Sequence, residues 1–553
     1  MPDPERTTPA PTQQDPFRWG RADPGNAFDR FRHPDPPSQR QYAKEHGIPR
    51  STLGYWTRRD RPAADDPVAS FCRSAAGQDF LKGIVLAALS TFSIQGACGV
   101  RLVGTFLQRS RLDRFVAASR GALQPLQAAL EADLAAFDDQ ERPLLAQRMP
   151  AKTIAAALDE HFHAVKNCLV GIEPVSNFIL VECYRDRRDA KTWKEAILEE
   201  TEGMKLEIVL LTSDLARGLL CCAEKGLGVA HSPDLFHGQR DLLKPLMLPL
   251  ARPIQQAEKD MEKAKKHVER LDVPAGQVQP PEEFEALVEA VRREVALGDQ
   301  VEELKGRQER AVREVRGVGD DYHPFDRQTG RPVSAEEVGK RLSARVEGLE
   351  KVVLEADLGE GPQRAVAKAR SWVGTLVGVV AWFWGLVDGR VEGLELSEEQ
   401  ERKVREELLP GHYWAMAARR ARTAEERRRL QEMAEGLQKA AWREGGALAS
   451  LPEEEKQEVE RVAQESAGLF SRSSSCVEGR NGRLSLHHHG HGKVSAARLK
   501  ALRVIHNYLV TRADGTTAAE RFFGQKHKDV FSWLLERMPD LPRPAAKRSR
   551  PAA

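Results

Sequence analysis

The sequence predicts an α/β fold with large all-α parts, and three patterns predict it. Residues 166–184 and 206–212 are short runs of apolar and β-branched side chains, the composition of strands. Between them, and after them to about residue 224, the pattern alternates strand and helix, which belongs to a mixed sheet rather than to a bundle. From about 253 to 470 apolar residues recur every three or four positions among Glu, Lys and Arg, the signature of long surface-charged helices.

The chain opens on a Pro-, Asp-, Arg- and Gln-rich stretch, 1–36, read as a disordered tail with no apolar signal core. Residues 37–62 follow as helix, short turn, helix. Tyr42 and Ala43 face the core of the first helix, Gly47 ends it and Ile48 anchors the turn. Ser51 or Thr52 caps the second, on which Leu53 and Trp56 share the inner face. Arg50, Ser51, Thr52, Tyr55, Arg58 and Arg59 are then left for DNA, the arrangement of a helix-turn-helix whose second helix enters the major groove. An ordinary helical hairpin with a charged face has the same pattern.

Residues 68–150 read as a helical accessory domain. The segment 151–252 starts with Thr153-Ile-Ala-Ala-Ala-Leu158, a first strand whose alanines favour helix. Lys166 to Tyr184, broken at Glu173-Pro174, reads as a β-hairpin or two neighbouring strands. A helix at about 190–202, a strand at 206–212 ending on Ser213-Asp214, a helix at 215–224 and a short strand at 228–232 complete it. The helical stretch 253–470 reads as an insertion, and its longest apolar run, Trp372 to Val387, falls short of the ~20 residues of a membrane span and reads as a buried helix. Residues 471–540 return to the α/β part with helices at 494–511 and 518–538, and 541–553 is a basic tail.

The net charge of +2 in 553 residues leaves any nucleic-acid role to local patches. Seven cysteines, an odd number without a Cys-x-x-Cys pair, support neither a disulfide framework nor a zinc ribbon and suit a reducing cytoplasm. The densest local signal is at 472–512, where eight Lys or Arg accompany one acid, Glu478. A lone carboxylate among cations is the arrangement expected of a Mg²⁺ ligand whose neighbours hold phosphates, since Mg²⁺ binds through one or two carboxylates plus substrate oxygens. Arg472, Arg480, Arg483 and Lys493 are the phosphate candidates, and Asn481 could orient backbone or a base edge. A solvated basic helix face is the alternative. His487-His-His-Gly-His491 lacks a zinc partner pattern and reads as an exposed loop or a phosphate contact.

Two more carboxylates are candidates. Asp214 follows a strand, where ligands gather in open α/β sheets, although an Asp before Leu215-Ala-Arg-Gly could equally cap a helix. Asp159 stands where the first strand is expected to end, and alone it reads as a surface acid.

The order acid, hairpin, helix, strand with acid, helical stretch, acid on a late helix resembles the ribonuclease-H-like fold of DDE transposases. The segments Leu158-Asp-Glu-His-Phe-His, Cys168-Leu-Val-Gly-Ile-Glu-Pro, Thr212-Ser-Asp, His231-Ser-Pro-Asp-Leu-Phe-His-Gly-Gln, Ser473-Ser-Ser-Cys-Val-Glu-Gly-Arg-Asn-Gly, Val504-Ile-His-Asn-Tyr and Asp514-Gly-Thr-Thr-Ala-Ala-Glu-Arg-Phe-Phe-Gly resemble a family of bacterial insertion-sequence transposases. The resemblance covers most of 38–252 and 470–537 and implies a ribonuclease-H-like mixed sheet split by a long helical insertion. It implies that Asp159, Asp214 and Glu478 are the acidic triad, with Asp214 bridging two Mg²⁺ (or Mn²⁺) ions that serve phosphoryl transfer without a protein nucleophile. Glu160 or Glu182 could stand in for Asp159, and Asp234 for Asp214. The implied partners are double-stranded DNA, as transposon ends and target, and further copies of the chain in a homodimer or higher oligomer; no membrane role is implied. A second reading is a transposase-derived protein that binds DNA and has lost catalysis.

Overall fold

A computed structural model describes residues 38–46, 48–51, 53, 66–163, 166–274, 277–491 and 494–544. The chain divides into two units: 1–89 with 100–126 and 539–553, and 90–99 with 127–538.

In the first unit, helix α1 (Gln39–Glu45) buries Tyr42 and Ala43, which cluster with Ile48 and Leu53 as the pattern predicts. Arg50, Ser51 and Leu53 are helical, and Leu53 N donates to Pro49 O at 3.0 Å. Ser51 therefore lies within the second helix rather than capping it. Gly47, Thr52, Tyr55, Trp56, Arg58 and Arg59 lie outside the described residues. Helices α2 (Pro67–Arg73) and α3 (Ala75–Ala88) are capped by Asp66, which accepts from Val68 N, and by Ser74, which accepts from Gly77 N. Helix α4 (Val100–Arg109) follows, and α5 (Arg120–Arg148) leads to the sheet.

The sheet of the second unit has five strands: β1 (Lys152–His163), β2 (Lys166–Glu173), β3 (Phe178–Arg185), β4 (Leu206–Ser213) and β5 (Ala230–Pro233). Their order is β3-β2-β1-β4-β5. Strands β1, β2 and β3 pair antiparallel, while β4 and β5 run parallel to β1. The expected mixed sheet is thus present, and the alanine run at 155–157 is strand. Helix propensity loses here because β1 is central: Ile154 to Leu158 are all buried, and a strand covered on both faces reads as a continuous apolar run. Small side chains also let helices approach closely. Strand β1 passes through Asp159 and continues to His163, so Asp159 lies inside the strand and not at its end.

Helix α6 (Ala190–Glu200), capped by Asp189, connects β3 to β4; α7 (Arg217–Cys221) and a wide turn at Cys222–Leu227 connect β4 to β5. The helical region starts earlier than expected. Helix α8 (Leu235–Leu271) begins directly after β5, capped by Asp234, and tolerates Pro245, Pro249 and Pro253. It pairs with α9 (Pro281–Asp321), followed by α10 (Ala335–Glu355) and α11 (Glu360–Glu392). Helix α11 is long and apolar enough to cross a membrane by length and composition. Leu376, Val379, Val380, Phe383 and Val387 pack into a core with Tyr322, Phe325, Trp414 and Phe470. The buried helix expected here is thus packed into the core along one face, with the rest of its apolar run less buried. Helices α12 (Glu398–Lys403), α13 (Leu409–Arg420), α14 (Ala424–Ala441) and α15 (Glu453–Leu469) complete this region.

The return to the sheet is held by specific bonds. Thr212 Oγ1 donates to Ser471 O at 3.3 Å, and Leu235 N donates to Arg472 O at 3.0 Å. These lay residues 471–474 along the ends of β4 and β5 and aim α16 (Ser475–His491) across β1 and β2. Helices α17 (Ala496–Tyr508), α18 (Ala518–Phe523) and α19 (Val530–Arg537) close the unit.

Candidate active site

Asp214 just beyond β4 and Glu478 in the first turn of α16, from two remote stretches of sequence, both lie within electrostatic reach of Asp159 on β1. The register explains Asp214: Ala157 of β1 stands beside Thr212 of β4, so residues two further along each strand come level. The electrostatics report Glu478. Burial pushes the Asp159 carboxyl up to about 6, with the negative charges of Glu478 and Asp214 adding to it. Like-signed carboxylates facing one another disfavour ionisation of the most buried member.

Each carboxylate has a definite partner. Asp159 Oδ2 accepts from Asn481 Nδ2 at 2.9 Å, and Oδ1 accepts from Glu160 N at 2.8 Å. Asp214 Oδ1 accepts from Ala216 N at 3.0 Å. That is a local Asx turn; the cap position of α7 is Ala216, so Asp214 is not the helix cap that Ser213-Asp214 could have formed. Glu478 Oε1 lies 3.0 Å from His237 Nε2, and His237 Nδ1 lies 2.8 Å from Asp234 Oδ2. The bond to Asp234 raises the His237 pKa against the opposing effect of burial.

The competing acids are engaged elsewhere. Glu160 points to the other face of β1, as strand alternation requires, and holds Arg188 at 2.8 Å and Trp193 Nε1 at 3.1 Å. Glu182 is buried and grips Arg480 through bonds of 2.6 and 2.7 Å. Asp234 is fully buried: it caps α8 through Phe236 N at 2.8 Å, orients His237 and accepts from Ser474 Oγ. Although burial pushes the Asp234 carboxyl up, these bonds hold it below the usual range.

The predicted basic surround is corrected at two positions. Arg480 faces inward to Glu182, and Arg472 donates to Gly319 O at 2.7 Å and Tyr322 O at 3.1 Å, which anchors the return segment. Neither is presented to a phosphate. Arg483 is exposed on α16, and Lys493 lies outside the described residues. The histidine run is not an exposed loop: it continues α16, with His487 and His488 buried and His488 stacked on His161 at 5.3 Å between ring centroids.

His237 and Asn481 carry roles whose partners the sequence does not name. The helical spacing of Glu478 and Asn481, three apart on one face, was the available signal for Asn481. His237, which from sequence could either hydrogen-bond near the site or fill the edge of the core, does the first, and its reach to Glu478 depends on a contact 241 positions away.

Residues 404–550 match a family of unknown function, DUF6399. No curated protein matches the chain. The DUF6399 segment spans about a quarter of the sequence and includes Glu478, Arg480 and Asn481, but neither Asp159 nor Asp214.

The donor set has the chemistry of a hard divalent cation. It offers three carboxylates and, beside them, the Oδ1 of Asn481, a buried oxygen with no hydrogen-bond partner. Among the described residues no three His, Cys, Asp or Glu side chains are grouped closely enough to enclose an ion by themselves. An open set of this kind suits Mg²⁺, which takes substrate oxygens and waters for its remaining positions.

Proposed function

We propose that this chain is a DDE-type DNA transposase with a ribonuclease-H-like catalytic sheet split by a helical insertion. It binds transposon-end DNA as a homodimer or higher oligomer and catalyses metal-dependent strand cleavage and strand transfer. The observation that carries the reading is the placement of Asp214 and Glu478 within electrostatic reach of Asp159, together with the bond from Asn481, three residues after Glu478, to the Asp159 carboxylate. The sheet order β3-β2-β1-β4-β5, with an acid on the central strand and another beyond its parallel neighbour, is consistent with it.

Asp159, Asp214 and Glu478 would hold Mg²⁺ or Mn²⁺, which when bound stabilises charge on the attacking and leaving oxygens of a phosphoryl transfer. The chain's own residues prepare that arrangement. Asn481 fixes the Asp159 carboxyl at 2.9 Å. His237, oriented by Asp234, holds Glu478 by one carboxylate oxygen. The buried Asp234 is thus a positioning residue acting through His237.

A second reading is a DNA-binding derivative that holds ends without cutting them. Strand cleavage of a labelled duplex carrying the flanking element's ends, with Mg²⁺ or Mn²⁺, separates the two. Nicking by the wild type, lost in Asp214→Ala, is the expected result. Specific binding without nicking by the wild type overturns catalysis and leaves the second reading.

A further inference from the structure

The turn joining β2 to β3 gathers arginines. Its peptide groups are sorted by direction. Val175 N and Ser176 N donate to the Glu173 carboxylate at 2.8 and 2.7 Å, and Asn177 N donates to Glu173 O at 2.9 Å. Asn177 has φ of 65°, which closes the turn. With the N–H groups turned inward, three successive carbonyls face outward, and a different arginine takes each. Arg420 donates to Pro174 O at 2.7 Å, Arg512 to Val175 O at 3.1 Å and Arg521 to Ser176 O at 2.9 and 3.1 Å. The three come from the end of α13, the segment after α17 and α18. Arg419, exposed beside Arg420, is a fourth.

Neutral carbonyls hold these guanidinium groups together without cancelling their charge. Among the described residues none of the four arginines is in an ion pair. Glu173 is buried and satisfied within the turn, and Asp514 spends an oxygen on Thr516 N and Oγ1. Burial, and then the charges of neighbouring arginines, lower the pKa of Arg512 and Arg521 against the opposing charges of Asp514, Glu173 and Glu520. Glu173, Asp514 and Glu520 act on the cluster without forming an ion pair with any of the four, so four arginines face three carboxylates and the guanidinium groups stay open to an anion from outside. Arginine forks match phosphate oxygens two at a time; Arg521, whose Nη1 also donates to Thr516 O and Oγ1, contributes mainly charge, and Arg419, Arg420 and Arg512 keep the free donors.

The cluster is also close to the carboxylates. Arg420 acts electrostatically on Cys476, two residues before Glu478. Val170 of β2 stands opposite Asp159, and four further residues at ~3.3 Å each bring the strand to Pro174, a span of about 13 Å. This is the rise of about four base pairs of duplex.

We propose that Arg419, Arg420, Arg512 and Arg521 form a phosphate-binding surface that holds the backbone of the duplex DNA whose strand lies at the carboxylates. The inference deepens the function proposed above and rests on DNA being the substrate. The surface binds phosphates rather than bases, so it adds affinity without sequence preference.

The test is the salt dependence of binding to a labelled duplex, read as the slope of log K against log salt. Each lost phosphate contact lowers that slope by roughly 0.9. The Arg419→Ala/Arg512→Gln variant is expected to lower it by about 1.5 to 2, on both specific and unrelated sequences, with thermal unfolding unchanged for Arg419→Ala alone. Arg512→Lys, which keeps the charge, should retain the wild-type slope. An unchanged slope in the double variant overturns the proposal, as does absence of duplex binding near 0.15 M salt or binding only to vesicles containing anionic phospholipid. Asp214→Ala is measured alongside. If the wild type fails to cleave but the slopes still fall as stated, the catalytic reading fails and the arginine surface stands.

Discussion

Arg480 on α16 and Glu182 on β3 form a two-pronged ion pair with both side chains buried, at 2.6 and 2.7 Å. The pair ties the helix that carries Glu478 to the sheet that carries Asp159. Removing one partner leaves the other charged and buried, which costs about 3–5 kcal/mol. Arg480→Ala is therefore expected to lower the midpoint of urea unfolding and to weaken any property that needs Glu478 in place. A midpoint within error of the wild type would show that the helix is held by other means.

Asn507 predicts a separate stability effect. Strand β3 is the edge of the sheet, and the buried Asn507 side chain completes its pairing: Oδ1 accepts from Ile179 N at 2.9 Å and Nδ2 donates to Ile179 O at 3.2 Å. One amide thus does what a sixth strand would do at that position. Asn507→Leu leaves a buried donor and a buried acceptor unpaired, at about 1–3 kcal/mol each. Denaturant unfolding should report a loss of about 2–6 kcal/mol, and amide exchange at Ile179 should accelerate. Slow exchange at Ile179 in the variant would contradict this account.

His506 sets a pH dependence. Burial pushes its pKa down to about 3, and Nε2 bonds Asn177 O at 2.8 Å. The unfolded value is about 6.5, so below that pH the unfolded chain binds a proton that the native chain refuses. The contribution to stability is fully present above about pH 6.5 and falls as pH drops towards 3. Between pH 7 and 5 the loss is about 2 kcal/mol. His237 and Asp159, both raised in the fold, act in the opposite sense over part of this range, so the informative quantity is a difference. The stability gap between wild type and His506→Gln should shrink by about 2 kcal/mol from pH 7 to 5. A constant gap would mean that His506 is not held neutral.

How far the sequence could be read depends on whether a residue's role is local. The hairpin at 166–184, the strand before Asp214 and the charged helices follow from composition and period, which local physics sets. The turn arginines at 420, 512 and 521 do not, because each is an ordinary surface arginine until the fold brings three of them to one set of carbonyls. Arg480 shows the reverse case. Its neighbours in sequence are those of a phosphate contact, and only the packing of α16 on β2 and the neighbouring β3 reveals the buried Glu182 that takes its charge. The alanines at 155–157 were ambiguous for a related reason: their helical preference is worth less than central placement in a sheet covered on both faces.

The carboxylate group makes the last prediction. Asp159 titrates at about 6 in the fold and near 3.9 when unfolded, so at pH 7 its ionised form is carried at a cost. The sign follows from linkage: a carboxyl raised by folding destabilises above its folded pKa, and the penalty is relieved as pH falls from about 6 towards 3.9. Asp159→Asn removes the charge and should stabilise the metal-free protein at pH 7 by on the order of 2–3 kcal/mol. The same charge is what would hold a divalent cation, and a ligand that binds only the native state raises Tm with its concentration. Mg²⁺ or Mn²⁺ is therefore expected to raise the Tm of the wild type and to leave that of Asp159→Asn nearly unmoved. The variant should start more stable and gain nothing. A variant that is less stable without metal would mean that Asn481 and Glu160 N compensate the buried charge in full, and an equal metal response in both proteins would remove Asp159 from the ligand set.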